Sequence, residues 1–228
     1  MEKKTQTQRS RRRAAAAFVL PVVFALSLGT QPVVAAEPEV QRPRLTLGET
    51  APDFQLPDVV SGRTYSLRDF ADKKGLLVVI LCRHCPYVKH IQKALARFAK
   101  EYANKDLAIV ALSANDPEAY PEDRSESLKE MAEEQDFTFP LLFDGTQETA
   151  KAFTAVATPD FFLFDAKRKL VYRGQFDDSR PRGGKEATGK DVRAAVDALL
   201  EGRAIPSEQS PAVGCSIKWK PGSRTGNV

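Results

Sequence analysis

Leu76-Leu77-Val78-Val79-Ile80-Leu81-Cys82-Arg83-His84-Cys85-Pro86 decides how this chain reads. The first six residues are apolar without alternation, as expected of a central strand buried on both faces. Beyond the motif, Val88, Ile91, Leu95, Phe98 and Tyr102 recur at helical spacing. Two cysteines three positions apart therefore stand where a strand hands over to a helix. One helical turn brings such a pair within reach of a disulfide, and a helix N-terminus favours the thiolate, which is the reacting species. The motif reads as a redox-active dithiol. Both histidines of the chain, His84 and His90, lie in or just after it.

Cys82, at the strand end, is expected to be the more exposed sulfur, to face the helix N–H groups and to attack. Cys85, a turn deeper, is expected to resolve the mixed disulfide. Arg83 and His84 place positive charge between the cysteines, favouring thiolate over disulfide and making the couple more oxidising. Pro86 pulls the other way, because it disfavours helical backbone at Cys85 and shifts the regular helix start to itself. His90 falls within the helix and reads as structural or surface. The second Cys/His pair of a structural zinc site is absent, and a c-type haem needs His where Pro86 stands. No metal and no bound cofactor are implied.

Outward from the motif, residues 51–58 alternate like a short edge strand and turn through Ser61-Gly62 into Thr64–Leu67, a hairpin. Leu107–Ala114 reads as a second buried strand. Ser127-x-x-Glu130 reads as a capping-box helix start. Phe137–Phe143 and Phe161–Phe164 are strand-like, and Lys169–Tyr172 pairs with the latter. Thr188 is expected to cap a last helix ended by Gly202. This order predicts an α/β fold, a central mixed β-sheet flanked by helices with an N-terminal β-hairpin extension. With the dithiol at the end of the first central strand, that is the thioredoxin-like arrangement.

Residues 1–36 read as a signal peptide. Lys3, Lys4, Arg9 and Arg11–Arg13 form a basic region, Ala14–Leu28 an apolar one, and Val34-Ala35-Ala36 a small-residue cleavage site. An uncleaved anchor is the alternative. Residues 37–46 read as a linker, 47–203 as the domain and 204–228 as a C-terminal tail. Removing six Lys/Arg and one Glu takes 34 basic and 30 acidic residues to 28 and 29, a net charge of −1 instead of +4. The basic excess belongs to the export signal and makes no case for nucleic acid. The expected location is periplasmic or secreted, with no stable membrane association after cleavage. Disulfides persist there. Three cysteines is an odd count, leaving Cys215 over as a third redox thiol or an inert one.

From Gly48 to Lys220 the chain resembles the redoxin (AhpC/TSA) group of the thioredoxin-like superfamily. The opening Gly48-Glu49-Thr50-Ala51-Pro52-Asp53-Phe54 and the Ser66–Phe70 stretch carry this. More narrowly, Cys82-x-His84-Cys85-Pro86, Asn115-Asp116-Pro117, Thr158-Pro159-Asp160-Phe161-Phe162, Gly174–Pro181 and Gly214–Lys220 are similar to its peroxiredoxin-like members. The resemblance implies that Thr158-Pro159 is the cis-proline loop that presents backbone to a bound substrate segment. It also implies that Cys85 occupies the peroxide-reducing position, although the accompanying Pro and Thr are replaced by Val78 and Cys82. Arg173 or Arg180 is then a candidate to stabilise a thiolate, or else to pair with Asp177 or Asp178. Residues 76–81 lack the buried acid that many thioredoxins carry beneath the second cysteine, so no general base is named.

The expected activity is an exported thiol–disulfide oxidoreductase acting on protein thiols or disulfides, with a second partner that resets the dithiol. Its rivals are a thiol-dependent hydroperoxide peroxidase, with Cys85 attacking and Cys82 resolving, and a non-catalytic metal-binding or interaction module.

Overall fold

In a computed structural model, the described residues are 44–223; the signal segment and residues 37–43 of the proposed linker lie outside them. Gly75–Ile80 (β3) is buried at every position, so it can offer neither face to water and occupies the middle of the sheet. Leu107–Ser113 (β4) and Leu141–Phe143 (β5) continue the sheet on one side, each parallel to its neighbour. Asp160–Phe164 (β7) and Leu170–Gly174 (β8) extend it antiparallel on the other, giving the order β5-β4-β3-β7-β8. The side chains of β3 divide by pleat. Leu77 and Val79 join one core with helix α1, Pro86–Tyr102, which buries Val88, Ile91, Leu95, Phe98 and Tyr102. Helices α2, Ser125–Glu134, and α4, Lys190–Leu200, cover the same face.

Leu76, Val78 and Ile80 face the opposite core. There they meet Phe54, Phe70, Ala150 and Phe153 from the N-terminal segment and the short helix α3, Glu148–Ala152. The expected hairpin forms between Gln55–Pro57 (β1) and Thr64–Ser66 (β2), with Gly62 in the left-handed conformation that its turn requires. Among the described residues no helix is long and apolar enough to cross a membrane.

Several boundaries differ from expectation. α2 begins at Ser125, so Ser127 lies inside it; its hydroxyl donates to the Pro121 carbonyl while Glu130 pairs with Arg83, and no capping box forms there. The box instead forms between Ser66 and Asp69. Only the last three of residues 137–143 are strand. α4 is capped by Gly189, at φ +71°, rather than by Thr188. Asp177 accepts the backbone N–H of both residues there and sets the turn. The stretch expected as a tail folds back. Cys215–Ser216 (β9) pairs antiparallel with Ala157–Thr158 (β6), and Ile217 is buried in the second core.

Candidate active site

β3 delivers Cys82 to its C-terminal end, and Cys85 lies at the mouth of α1. Both are free thiols and both residues are fully buried, so Cys82 is not the more exposed of the two. Pro86 opens the helix and Cys85, with extended backbone, takes the capping position. The N–H groups of the first turn therefore face Cys85, with that of Val88 directed to its sulfur. The constraint Pro86 places on its predecessor decides this local geometry.

Thr158 joins the two sulfurs. Its Oγ1 lies 3.2 Å from Cys82 Sγ, and its carbonyl oxygen lies 3.1 Å from Cys85 Sγ. The Thr158–Pro159 peptide bond is cis. Ionisation is divided unequally between the cysteines. The Cys85 thiol is pulled down, first by a hydrogen bond from Cys82, against burial, and then by Cys215, Val88 and Thr158. Burial and the Thr158 carbonyl, an acceptor, both favour keeping its proton. Cys82 is pushed up by its bond to Cys85, by burial and by the Asp123 carboxylate. A carboxylate within 4.8 Å of a thiolate costs on the order of 3 kcal/mol at an effective dielectric of about 20, which adds to the bond from Cys85 and to burial in keeping the proton on Cys82.

Asp123 is the residue that the motif did not announce. Fully buried after the loop from β4, it accepts from the Arg83 N–H (2.7 Å), the His84 N–H (3.2 Å), His84 Nδ1 (2.5 Å) and Asn115 Nδ2 (2.8 Å). It fixes the loop between the two cysteines and orients the imidazole, which also stacks on Tyr120 at 4.9 Å. Cys82, His84 and Asp123 offer three ligand atoms within 4.8 Å of one another. Four donors already fill the lone pairs of the carboxylate, leaving none for a cation. Arg83 departs from expectation. Its guanidinium reaches the Ser127 carbonyl and Glu130, each at 2.6 Å, with Glu134 at 3.4 Å, so its charge is met on α2 rather than at the sulfurs.

His90 bonds Ser179 at 2.9 Å, a structural role. Arg173 is buried against Asp160 at 3.2 Å and also holds Leu45 and Thr154. Arg180 bonds Gln175 and two backbone carbonyls. Neither guanidinium is engaged with Cys85, and Asp178 pairs instead with Lys185 and Lys190. Cys215 sits opposite Thr158 across β6–β9, partly exposed and within hydrogen-bonding reach of Cys85. Residues 82, 85, 158, 159 and 215 thus converge. The sequence carried signals for all five, whereas Asp123 sits in a Pro-Glu-Asp loop with no pattern to mark it.

The sheet order, the dithiol between β3 and α1 and the cis-proline facing it define a thioredoxin-like fold. The chain belongs to the AhpC/TSA family, whose model matches residues 47–173, and with it to the thioredoxin-like oxidoreductases. A solved structure of an uncharacterized conserved protein from Geobacillus kaustophilus is 49% identical, covers 82% of this chain and 99% of its own, and superposes with a TM-score of 0.76. A hypothetical protein from Sinorhizobium meliloti 1021 is 47% identical, covers 78% of this chain and 97% of its own, with a TM-score of 0.76. The thiol-disulfide oxidoreductase ResA of Geobacillus thermodenitrificans is 25% identical over 136 residues, 57% of this chain and 70% of that protein.

Proposed function

We propose that this protein is an exported thiol–disulfide oxidoreductase whose Cys82–Cys85 dithiol exchanges with thiols or disulfides of protein partners. The observation that carries this reading is the pair of unlinked sulfurs held at 3.2 and 3.1 Å from one residue of the cis-proline loop, one set to ionise and the other to stay protonated. Thr158 and Pro159 present backbone to the partner segment beside them. The roles of the cysteines follow the electrostatics: the Cys85 thiolate attacks, and Cys82, relieved of its proton, resolves the mixed disulfide. The 25% identity to a thiol-disulfide oxidoreductase supports the same chemistry. Export rests on the basic and apolar run of residues 1–36 and the small residues 34–36, and leaves the protein in the periplasm or outside the cell. A second, resetting partner is required, because each turnover leaves the dithiol in the opposite redox state.

A hydroperoxide peroxidase is the second reading, favoured by a thiolate at a Cys-Pro helix start. It lacks a guanidinium at Cys85, since Arg173 and Arg180 are engaged elsewhere. Reduction of insulin disulfides and consumption of hydrogen peroxide, each with a dithiol donor, separate the two. Insulin turnover is expected to be lost in Cys85→Ser, while Cys82→Ser combined with Cys215→Ser accumulates a mixed disulfide on Cys85. Trapping on Cys82 reverses the assigned roles, peroxide turnover alone favours the second reading, and no cysteine-dependent turnover in either assay ends the enzymatic one.

A further inference from the structure

An exchange reaction needs a nucleophile to approach a sulfur in line, yet both residues of the dithiol are fully buried. Cys215 is only partly buried, and it stands at the same place. β9 sets it directly across from Thr158, the residue that both other sulfurs touch. A Cβ on the preceding Gly214 would lie 2.0 Å from the Thr158 carbonyl oxygen, so the strand approaches as closely as only glycine permits.

The segment after Cys215 is held by buried polar groups. Asn115 accepts the Lys218 N–H at 2.9 Å, Asp116 donates its N–H to the Lys218 carbonyl at 2.8 Å, and Gln147 accepts the Lys220 N–H at 2.9 Å. Asn115 also donates to Asp123, which ties this clamp to the loop between the cysteines. Buried amides kept satisfied in this way make a specific, rigid attachment rather than a loose tail.

We infer that Cys215 is a third redox thiol that carries the disulfide from the buried pair to the protein surface, an extension that rests on the proposed dithiol chemistry. The step is an intramolecular exchange. Deprotonated Cys215 attacks Sγ of Cys85 in the Cys82–Cys85 disulfide. The Cys85–Cys215 bond forms, the Cys82–Cys85 bond breaks, and its electron pair leaves on Cys82, which takes a proton. Nothing is oxidised or reduced overall. A protein dithiol then attacks Cys215 from solvent, and its second thiol closes the partner's disulfide, so the partner loses two electrons and Cys85 and Cys215 gain them.

The reduced state holds this thiol in check. Burial first, and then the Cys85 thiolate, keeps Cys215 up at about 11. The second influence vanishes once Cys85 is in a disulfide, so Cys215 becomes easier to ionise only when there is a bond for it to attack.

The test uses the full chain, oxidised with oxidised glutathione, acid-quenched, alkylated and mapped by mass spectrometry. Wild type is expected to yield both Cys82–Cys85 and Cys85–Cys215 peptides. Cys82→Ser is expected to lose alkylation at Cys215 on oxidation, and Cys215→Ser to retain only Cys82–Cys85. Wild type that links Cys82 to Cys85 while Cys215 stays alkylatable, in Cys82→Ser as well, overturns the relay and leaves the dithiol reading standing. Absence of any link to Cys85 overturns both. The wild-type map needs no variant to fold.

Discussion

Beyond the bond between the two sulfurs and their burial, a residue 39 positions from His84 opposes ionisation of Cys82, because Asp123 brings its charge there through the fold while holding His84. In a Cys85→Ser background, which removes the coupling between the two sulfurs, Asp123→Asn should lower the pH of half-maximal Cys82 alkylation by roughly one to two units. The sign follows from the charge: a carboxylate opposes a neighbouring thiolate, so neutralising it eases ionisation. An unmoved midpoint in iodoacetamide kinetics would discard this electrostatic account. At this scale the pair Cys82 and Cys85 was legible from its spacing at a strand-to-helix junction, and the cis bond at Thr158-Pro159 from the family resemblance. Asp123 was not, because nothing in Pro121-Glu122-Asp123 tells a solvated loop acid from a fully buried one. Arg83 misled for the same reason. Its charge was legible, and the acidic side chains of α2 that receive it were not.

Among the elements, the two-residue strand β9 has consequences out of proportion to its length. Gly214→Ala places a methyl against the Thr158 backbone, which cannot yield as a flexible side chain would. We expect a loss of about 1–3 kcal/mol in urea unfolding, as for other overpacking changes. Faster alkylation of Cys215 should accompany it as β9 lifts from β6. Stability and alkylation both equal to wild type would show that β9 does not need this close approach. The long elements were legible because their burial is periodic: β3 reads as a continuous apolar run and α1 as a repeating stripe. Short ones were not. α3 spans five residues, β6 and β9 two each, and a pattern that brief carries no period. The Ser127-x-x-Glu130 spacing matched a helix start, but Glu130 found a stronger partner in Arg83.

Across the whole molecule, Arg173 binds together parts that no local pattern connects: β7 through Asp160, the exit of α3 through Thr154, and the N-terminal segment through Leu45. Burial pushes Asp160 up to about 6, against the pull of the guanidinium. Arg173→Met leaves that carboxyl buried and unpaired, and should cost about 3–5 kcal/mol at pH 7, while Asp160→Leu with Arg173→Met should recover much of the loss. Removing Arg173 raises the carboxyl further. A carboxyl raised above its unfolded value contributes stability that is present below about pH 4 and lost as pH rises through its folded value. The deficit of Arg173→Met should therefore shrink at pH 4 and widen towards pH 8. Urea midpoints that shift equally at both pH values would contradict this. The sheet, its principal helices and the dithiol were determined by the order of residues alone, because periodic burial and a four-residue motif are written within single turns and strands. The tertiary structure decided which charges and donors surround each sulfur, what holds Arg83, and that Cys215 stands opposite Thr158. Charge proximity and desolvation depend on distances between segments far apart along the chain, and only folding sets those.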